Sequence, residues 1–140
     1  MYGVLDVSTS ALVAQRTRLD VIAGNIATKD AVARDASGNA VPYRRRVTLI
    51  EQGARPGSGS GPGVHVSKIA EDPTPFGLRW APEDVNAIKD GKNKGYVLVS
   101  NVDYHTEMVN AMEAARAYEA NVTVIETAKA MAATALKLMG

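Results

Sequence analysis

The sequence predicts a mainly α chain, in which N- and C-terminal helices form an antiparallel coiled-coil-like pair around a small β-rich inserted middle domain. Three observations predict it. All six prolines lie between Pro42 and Pro82 and nine of the twelve glycines between Gly38 and Gly95, so helix-breaking residues are confined to the centre. Apolar residues recur at the helical period in both ends. In the centre they alternate instead, as on a strand. The boundaries that follow are a helical arm at 1–30, a middle domain at 31–101 with a flexible loop at 53–63, and a long helix at 102–140.

In the N-terminal arm, Leu5, Leu12, Leu19, Ile22 and Ile26 fall on one seam of a seven-residue repeat, with Ser8 and Gln15 at the alternate seam positions. Gly24-Asn25 and the polar Thr28-Lys29-Asp30 end or loosen the helix. The rod from Val4 to Ala27 is roughly 35 Å long.

The middle reads as a hairpin. Tyr43, Arg45, Val47 and Leu49 alternate with Arg44, Arg46, Thr48 and Ile50, and Val64 and Val66 alternate with His65 and Ser67. The Gly/Ser/Pro stretch between them suits a mobile connector better than a phosphate cradle. Tyr96-Val-Leu-Val99, introduced by the turn-rich Asp90–Gly95, supplies a third strand.

The C-terminal arm has no proline and no internal glycine, and alanine dominates it, so it reads as one helix of roughly 55 Å. Asp103 is placed to cap it, Glu107 puts acidic charge near its positive end, and Lys137 sits in its last turn. Met108, Met112, Ala115, Tyr118, Val122, Ile125, Ala132, Leu136 and Met139 make one apolar row; Val124, Ala128, Met131, Ala135 and Leu138 make a second. Two rows imply two partners, whereas a surface helix of a compact monomer buries one stripe. The arms are therefore expected to stay largely unfolded in the monomer and to fold on assembly.

Composition narrows function by exclusion. A length of 140 residues suits one modest domain, and a net charge of +1 gives no broad field for nucleic acid or an anionic membrane. The absence of cysteine excludes a disulfide scaffold, thiolate zinc sites and a thiol nucleophile. The start lacks the basic and apolar regions of a cleaved secretory signal, and no apolar run is long enough to cross a bilayer. His65 and His105 have no second ligand at a metal-binding spacing. His105 lies two residues from both Asp103 and Glu107, a spacing that on a helix points to different faces, so the three do not converge as a local acid–base group. Arg44-Arg45-Arg46 alternates across a strand and reads as a solvated or subunit-contact face. The chain is read as a non-enzyme with no cofactor, no metal, no nucleic-acid partner and no direct membrane insertion.

Several segments resemble the axial proteins of the bacterial flagellum, the rod and hook family. Leu5-Asp-Val-Ser-Thr-Ser-Ala-Leu continuing to Gly24-Asn-Ile-Ala27 is similar to the family's rod signature, with Gly24 and Thr28 where asparagine is common. Pro42-Tyr-Arg-Arg45, Glu71-Asp-Pro-Thr-Pro-Phe76 and Gly95-Tyr-Val97 leading to Asn101-Val-Asp103 resemble a proximal-rod subgroup, from which Pro82–Lys94 departs. Thr106-Glu-Met-Val109, Arg116-Ala-Tyr-Glu-Ala-Asn-Val122 and Ala128-Lys-Ala-Met131 are similar to the family's terminal helix. The resemblance implies a structural subunit of the rod that crosses the periplasm, transmits torque and encloses the export channel. It also implies export by the flagellar type III apparatus without a cleaved signal peptide. The implied partners are other copies of the chain, other proximal and distal rod proteins, the export apparatus and the surrounding ring proteins.

The expected assembly interface comprises Leu5, Leu12, Leu19, Ile22, Asn25 and Ile26 from the first arm, with Met108, Met112, Arg116, Tyr118, Glu119, Val122, Ile125, Met131 and Leu136 from the second. Arg116 and Glu119 are its candidate ion-pairing residues, and residues 57–63 a candidate loop tip facing neighbours. The rival readings are a helical adaptor that forms no filament and a small enzyme using His105 with Asp103, the latter disfavoured by the absence of a pocket-forming set of polar residues in the sequence.

Overall fold

The structure, a computed structural model, describes residues 2–53 and 61–139. Its elements in order are α1 (Tyr2–Thr28), β1 (Val32–Arg34), β2 (Ala40–Pro42), β3 (Arg46–Gln52), β4 (Val64–Glu71), β5 (Gly77–Trp80), β6 (Tyr96–Val99) and α2 (Tyr104–Met139). Consecutive strands pair antiparallel as β1–β2, β3–β4 and β5–β6, three separate two-stranded sheets. Helix accounts for 47% and strand for 22%, which overturns the mainly α expectation: the chain is α+β, with three hairpins between its helices.

Short strands explain the miss. β1 and β2 have three residues each, too few to show a period, and are joined by a turn in which Asp35 Oδ1 accepts the N–H groups of Ser37 and Asn39. β5 is hidden in a Pro-flanked stretch, and pairs Trp80 with Tyr96, whose rings meet edge-on at 4.9 Å. The β3–β4 hairpin appears where alternation placed it, with an irregularity between Leu49 and Ile50. Most of the expected loop, residues 54–60, lies outside the described residues.

The helix pair is antiparallel. Asn25 meets Glu107 and, farther toward the start of α1, Arg18 meets Glu113 farther along α2. Carried along both helices, this register brings the first residues of α1 level with Ala130, so the last turns of α2 run past the end of α1. Asp103 caps α2: its Oδ2 accepts the Thr106 N–H at 3.0 Å and the Thr106 hydroxyl at 2.6 Å, bonds that pull the carboxyl's pKa below its usual value.

α1 is covered on two sides. The seam from Leu5 to Ile26 is buried or half-buried. The neighbouring face meets the β3–β4 hairpin, where Ser10 Oγ accepts the Val64 N–H at 3.1 Å. α2 is different, because its buried and half-buried positions level with α1 are mostly small, Ala111, Ala114, Ala117, Asn121 and Ala128, with Ala114 fully buried, beside the half-buried Val122 and Ile125. Met108 and Met112, from the first apolar row, are exposed. Small residues suit a close helix pairing. The seam of large apolar residues is thus mostly one-sided: α1 supplies it with Leu5, Leu12, Leu19, Ile22 and Ile26, and α2 adds Val122 and Ile125.

Candidate functional site

The two largest fully buried side chains among the described residues are polar: Asn25, near the end of α1, and Glu107, in the first turn of α2. Polar groups at 0% exposure are tolerated only when their hydrogen bonds are met. Asn25 meets all four of its own. Its Nδ2 donates to the Arg46 carbonyl at 2.8 Å and to Glu107 Oε2 at 2.9 Å. Its Oδ1 accepts the Arg46 N–H at 2.9 Å and the Tyr43 hydroxyl at 3.1 Å.

The other Glu107 oxygen accepts Arg45 Nε at 2.7 Å, and Arg45 Nη1 donates to Asp72 Oδ2 at 3.0 Å. Partial burial alone lowers the Arg45 pKa, but the bonds and charges of Glu107 and Asp72 outweigh it and raise the pKa above its usual value. Asp72 is held at about 2, first by the Thr74 hydroxyl and N–H and then by Arg45. Arg45 N–H donates to Asn101 Oδ1 at 2.8 Å, and Asn101 Nδ2 reaches the Thr74 carbonyl at 3.1 Å. Arg44 donates to the carbonyls of Asp72 and Thr74 at 3.0 and 3.1 Å while its guanidinium lies 4.2 Å over the Phe76 ring.

The result is a polar knot binding the end of α1, the segment leading into β3, the turn after β4, the segment after β6 and the start of α2. The arginine run is thus not one solvated face: Arg45 is built into the knot, Arg44 is stacked, and Arg46 is exposed. Glu107, expected near the positive end of the helix dipole, lies in the first turn of α2 and also forms an ion pair with Arg45. The seven-residue row Glu107, Ala114, Asn121, Ala128, Ala135 carried the missed signal, since a carboxylate on a row of small residues needs a buried partner.

Of the expected interface residues, the structure buries Ile22 and Asn25 and half-buries Leu5, Leu12, Leu19, Ile26, Val122 and Ile125. It exposes Met108, Met112, Arg116, Tyr118, Glu119, Met131 and Leu136. Among the described residues, neither Arg116 nor Glu119 joins an intramolecular ion pair. His105 lies edge-on to Tyr104, Asp103 is committed to Thr106, and no group of three or more His, Asp or Glu among the described residues is placed to hold a metal ion. Nor is any described helix long and apolar enough to cross a membrane.

Comparison with known proteins matches both helical ends. Residues 5–27 fit the flagella basal body rod protein family and residues 93–138 the flagellar basal body rod FlgEFG protein C-terminal family. The flagellar basal-body rod protein FlgC of Bacillus subtilis (strain 168) is 40% identical, covering 96% of this chain and 95% of its own length. That of Yersinia enterocolitica is 39% identical over 99% of this chain and 97% of its own. That of Borreliella burgdorferi is 36% identical over 99% and 97%. These alignments run through the helices and through the central segments that tie the knot, and the relatives are structural rod proteins rather than enzymes. The chain therefore belongs to the flagellar basal-body rod protein FlgC family, as a structural component of that rod.

Proposed function

We propose that the chain assembles through the outward flanks of α1 and α2, with other copies and with other proximal and distal rod proteins, into the tube that crosses the periplasm, transmits torque and encloses the export channel. The surface carries this reading. The chain exposes 9739 Å², whereas a compact monomer of 14.8 kDa exposes about 7,000 Å². The excess is rich in large apolar side chains: Val4, Val7 and Val13 on α1, and Met108, Met112, Val124, Met131, Leu136 and Leu138 on α2. Each one buried against a neighbour contributes about 1.5–3 kcal/mol.

A tube grows through a heterologous contact whose rotation and rise do not close into a ring, and long helices offer such contacts along their length. Arg116 and Glu119, both exposed, are free to pair between copies. The knot end of the helix pair is held within one chain, while the far end is completed by neighbours. Delivery through the flagellar type III apparatus without a cleaved signal, with the export apparatus and ring proteins as further partners, belongs to the same reading.

The test is Met112→Glu, a charge on an exposed residue that the single chain does not use for its own packing. The variant is expected to keep the parent's melting temperature and its export while losing rod assembly and motility. Normal rods in that strain would refute the reading.

A further inference from the structure

We propose that the Asn25–Arg45–Glu107–Asp72 knot is a register lock: it selects which turn of α2 faces which turn of α1, and so sets how far α2 projects beyond the pair. The proposal does not depend on rod assembly.

The α2 row facing α1 repeats small residues at seven-residue spacing, Ala114, Asn121 and Ala128, with the larger Val122 and Ile125 half-buried beside it. Such a row presents nearly the same surface after a slide of one heptad, about 10 Å. Burial of alanine thus favours pairing while discriminating poorly between registers. The partner seam adds little discrimination at its middle, where Gln15 Oε1 is buried without a hydrogen-bond partner among the described residues.

The knot discriminates sharply. Asn25 and Glu107 are fully buried, and every polar contact they make is directional, at 2.7–3.1 Å. A slide of one heptad would remove Glu107 from both Arg45 and Asn25, leaving buried donors and a buried carboxyl without partners. The Arg18–Glu113 ion pair, which also links the two helices, has its carboxylate 62% exposed and discriminates weakly. A single buried polar residue that fixes helix register at some cost in stability is the established physical precedent.

The chain has no cysteine, so register can be read directly by intramolecular disulfide formation. Counting ten residues back from Asn25 and ten forward from Glu107 brings Gln15 level with Ala117. Gln15→Cys with Ala117→Cys therefore reports the observed register. Gln15→Cys with Val124→Cys reports a slide of one heptad.

In the full-length purified chain under mild oxidation, the first pair should cross-link at least about tenfold faster than the second. Introducing Arg45→Met with Glu107→Leu, which keeps apolar volume while removing the knot's central ion pair, should bring the two rates within about threefold while helicity by circular dichroism is retained. Glu107→Gln, closest in shape, should give the same convergence in smaller degree and serves if the double variant does not fold. An undiminished preference for the first pair in a folded knot variant would overturn the proposal. So would comparable cross-linking of both pairs in the chain with its knot intact. Loss of helicity in Glu107→Gln without cross-linking of the displaced pair would also overturn it, because the knot would then hold the fold together without choosing its register.

Discussion

At Glu107 the choice between partner and no partner has a large consequence. Removing one member of a buried ion pair strands the other charge, so Arg45→Ala should destabilise the chain by about 3–5 kcal/mol in urea unfolding. A loss under about 1 kcal/mol would mean that water reaches Glu107 on its own. Asp72 gives the knot a pH dependence whose sign follows from its lowered pKa. The folded chain holds this carboxyl at about 2, against 3.8 for the ordinary group, so the unfolded chain takes up the proton first on acidification. The stabilisation is complete above the unfolded value and is lost as pH falls from about 4 to about 2. Asp72→Asn removes that titration, so the difference in urea midpoint between parent and variant should shrink progressively from pH 5 to pH 2. A difference that stays constant over that range would contradict the assignment.

Elements differ in how plainly their residues announce them. The seam of α1 was legible because Leu5, Leu12, Leu19, Ile22 and Ile26 are large, periodic and now found buried or half-buried. α2 was legible as a helix but only partly by face, since Val122 and Ile125 are half-buried while Ala114 and Ala128 fill much of the row facing α1 and Met108, Met112, Met131, Leu136 and Leu138 are exposed. Strands β1, β2 and β5, of three or four residues, left no period to read, whereas β6 stood out as Tyr96-Val-Leu-Val99 after a turn-rich stretch. The knot was invisible because Asn25 and Glu107 are separated by 82 residues, and no local pattern couples such positions. The β3–β4 hairpin illustrates the converse, a contact that one glycine makes possible. Gly63 has φ of 139°, and a Cβ there would lie 2.6 Å from Ser10 Oγ, the atom that accepts the Val64 N–H. Gly63→Ala should therefore cost about 1–3 kcal/mol through backbone strain and loss of the hairpin's anchor on α1. Adding Ser10→Ala relieves part of the crowding and none of the strain, so it should recover little. Full recovery in a thermal melt would show that crowding alone was responsible.

For the whole molecule, the important contrast is between surface the chain shelters itself and surface it leaves open. The seam and the knot hold one end of the helix pair, and hairpins cover a second side of α1. The end of α2 has neither kind of support: Met131, Leu136 and Leu138 are 66%, 67% and 83% exposed, beyond the level reached by the start of α1. A helix end that buries little within its own chain contributes little to that chain's stability. Ending the chain after Ala130 should therefore leave the urea midpoint of the purified protein within about 0.5 kcal/mol of the parent in stability. Ile22→Glu, which drives a charge into a seam residue only 6% exposed, should lower it by several kcal/mol by burying an unpaired charge. In cells the order reverses in meaning. Under the proposed assembly, the shortened chain should fold yet fail to enter rods, having lost surface that the proposal assigns to a neighbour, and Ile22→Glu should fail earlier, as a folding defect seen in the purified protein. A shortened chain that still builds functional rods would show that the projecting end is dispensable, and would move the contacts between copies onto the flanks nearer the knot.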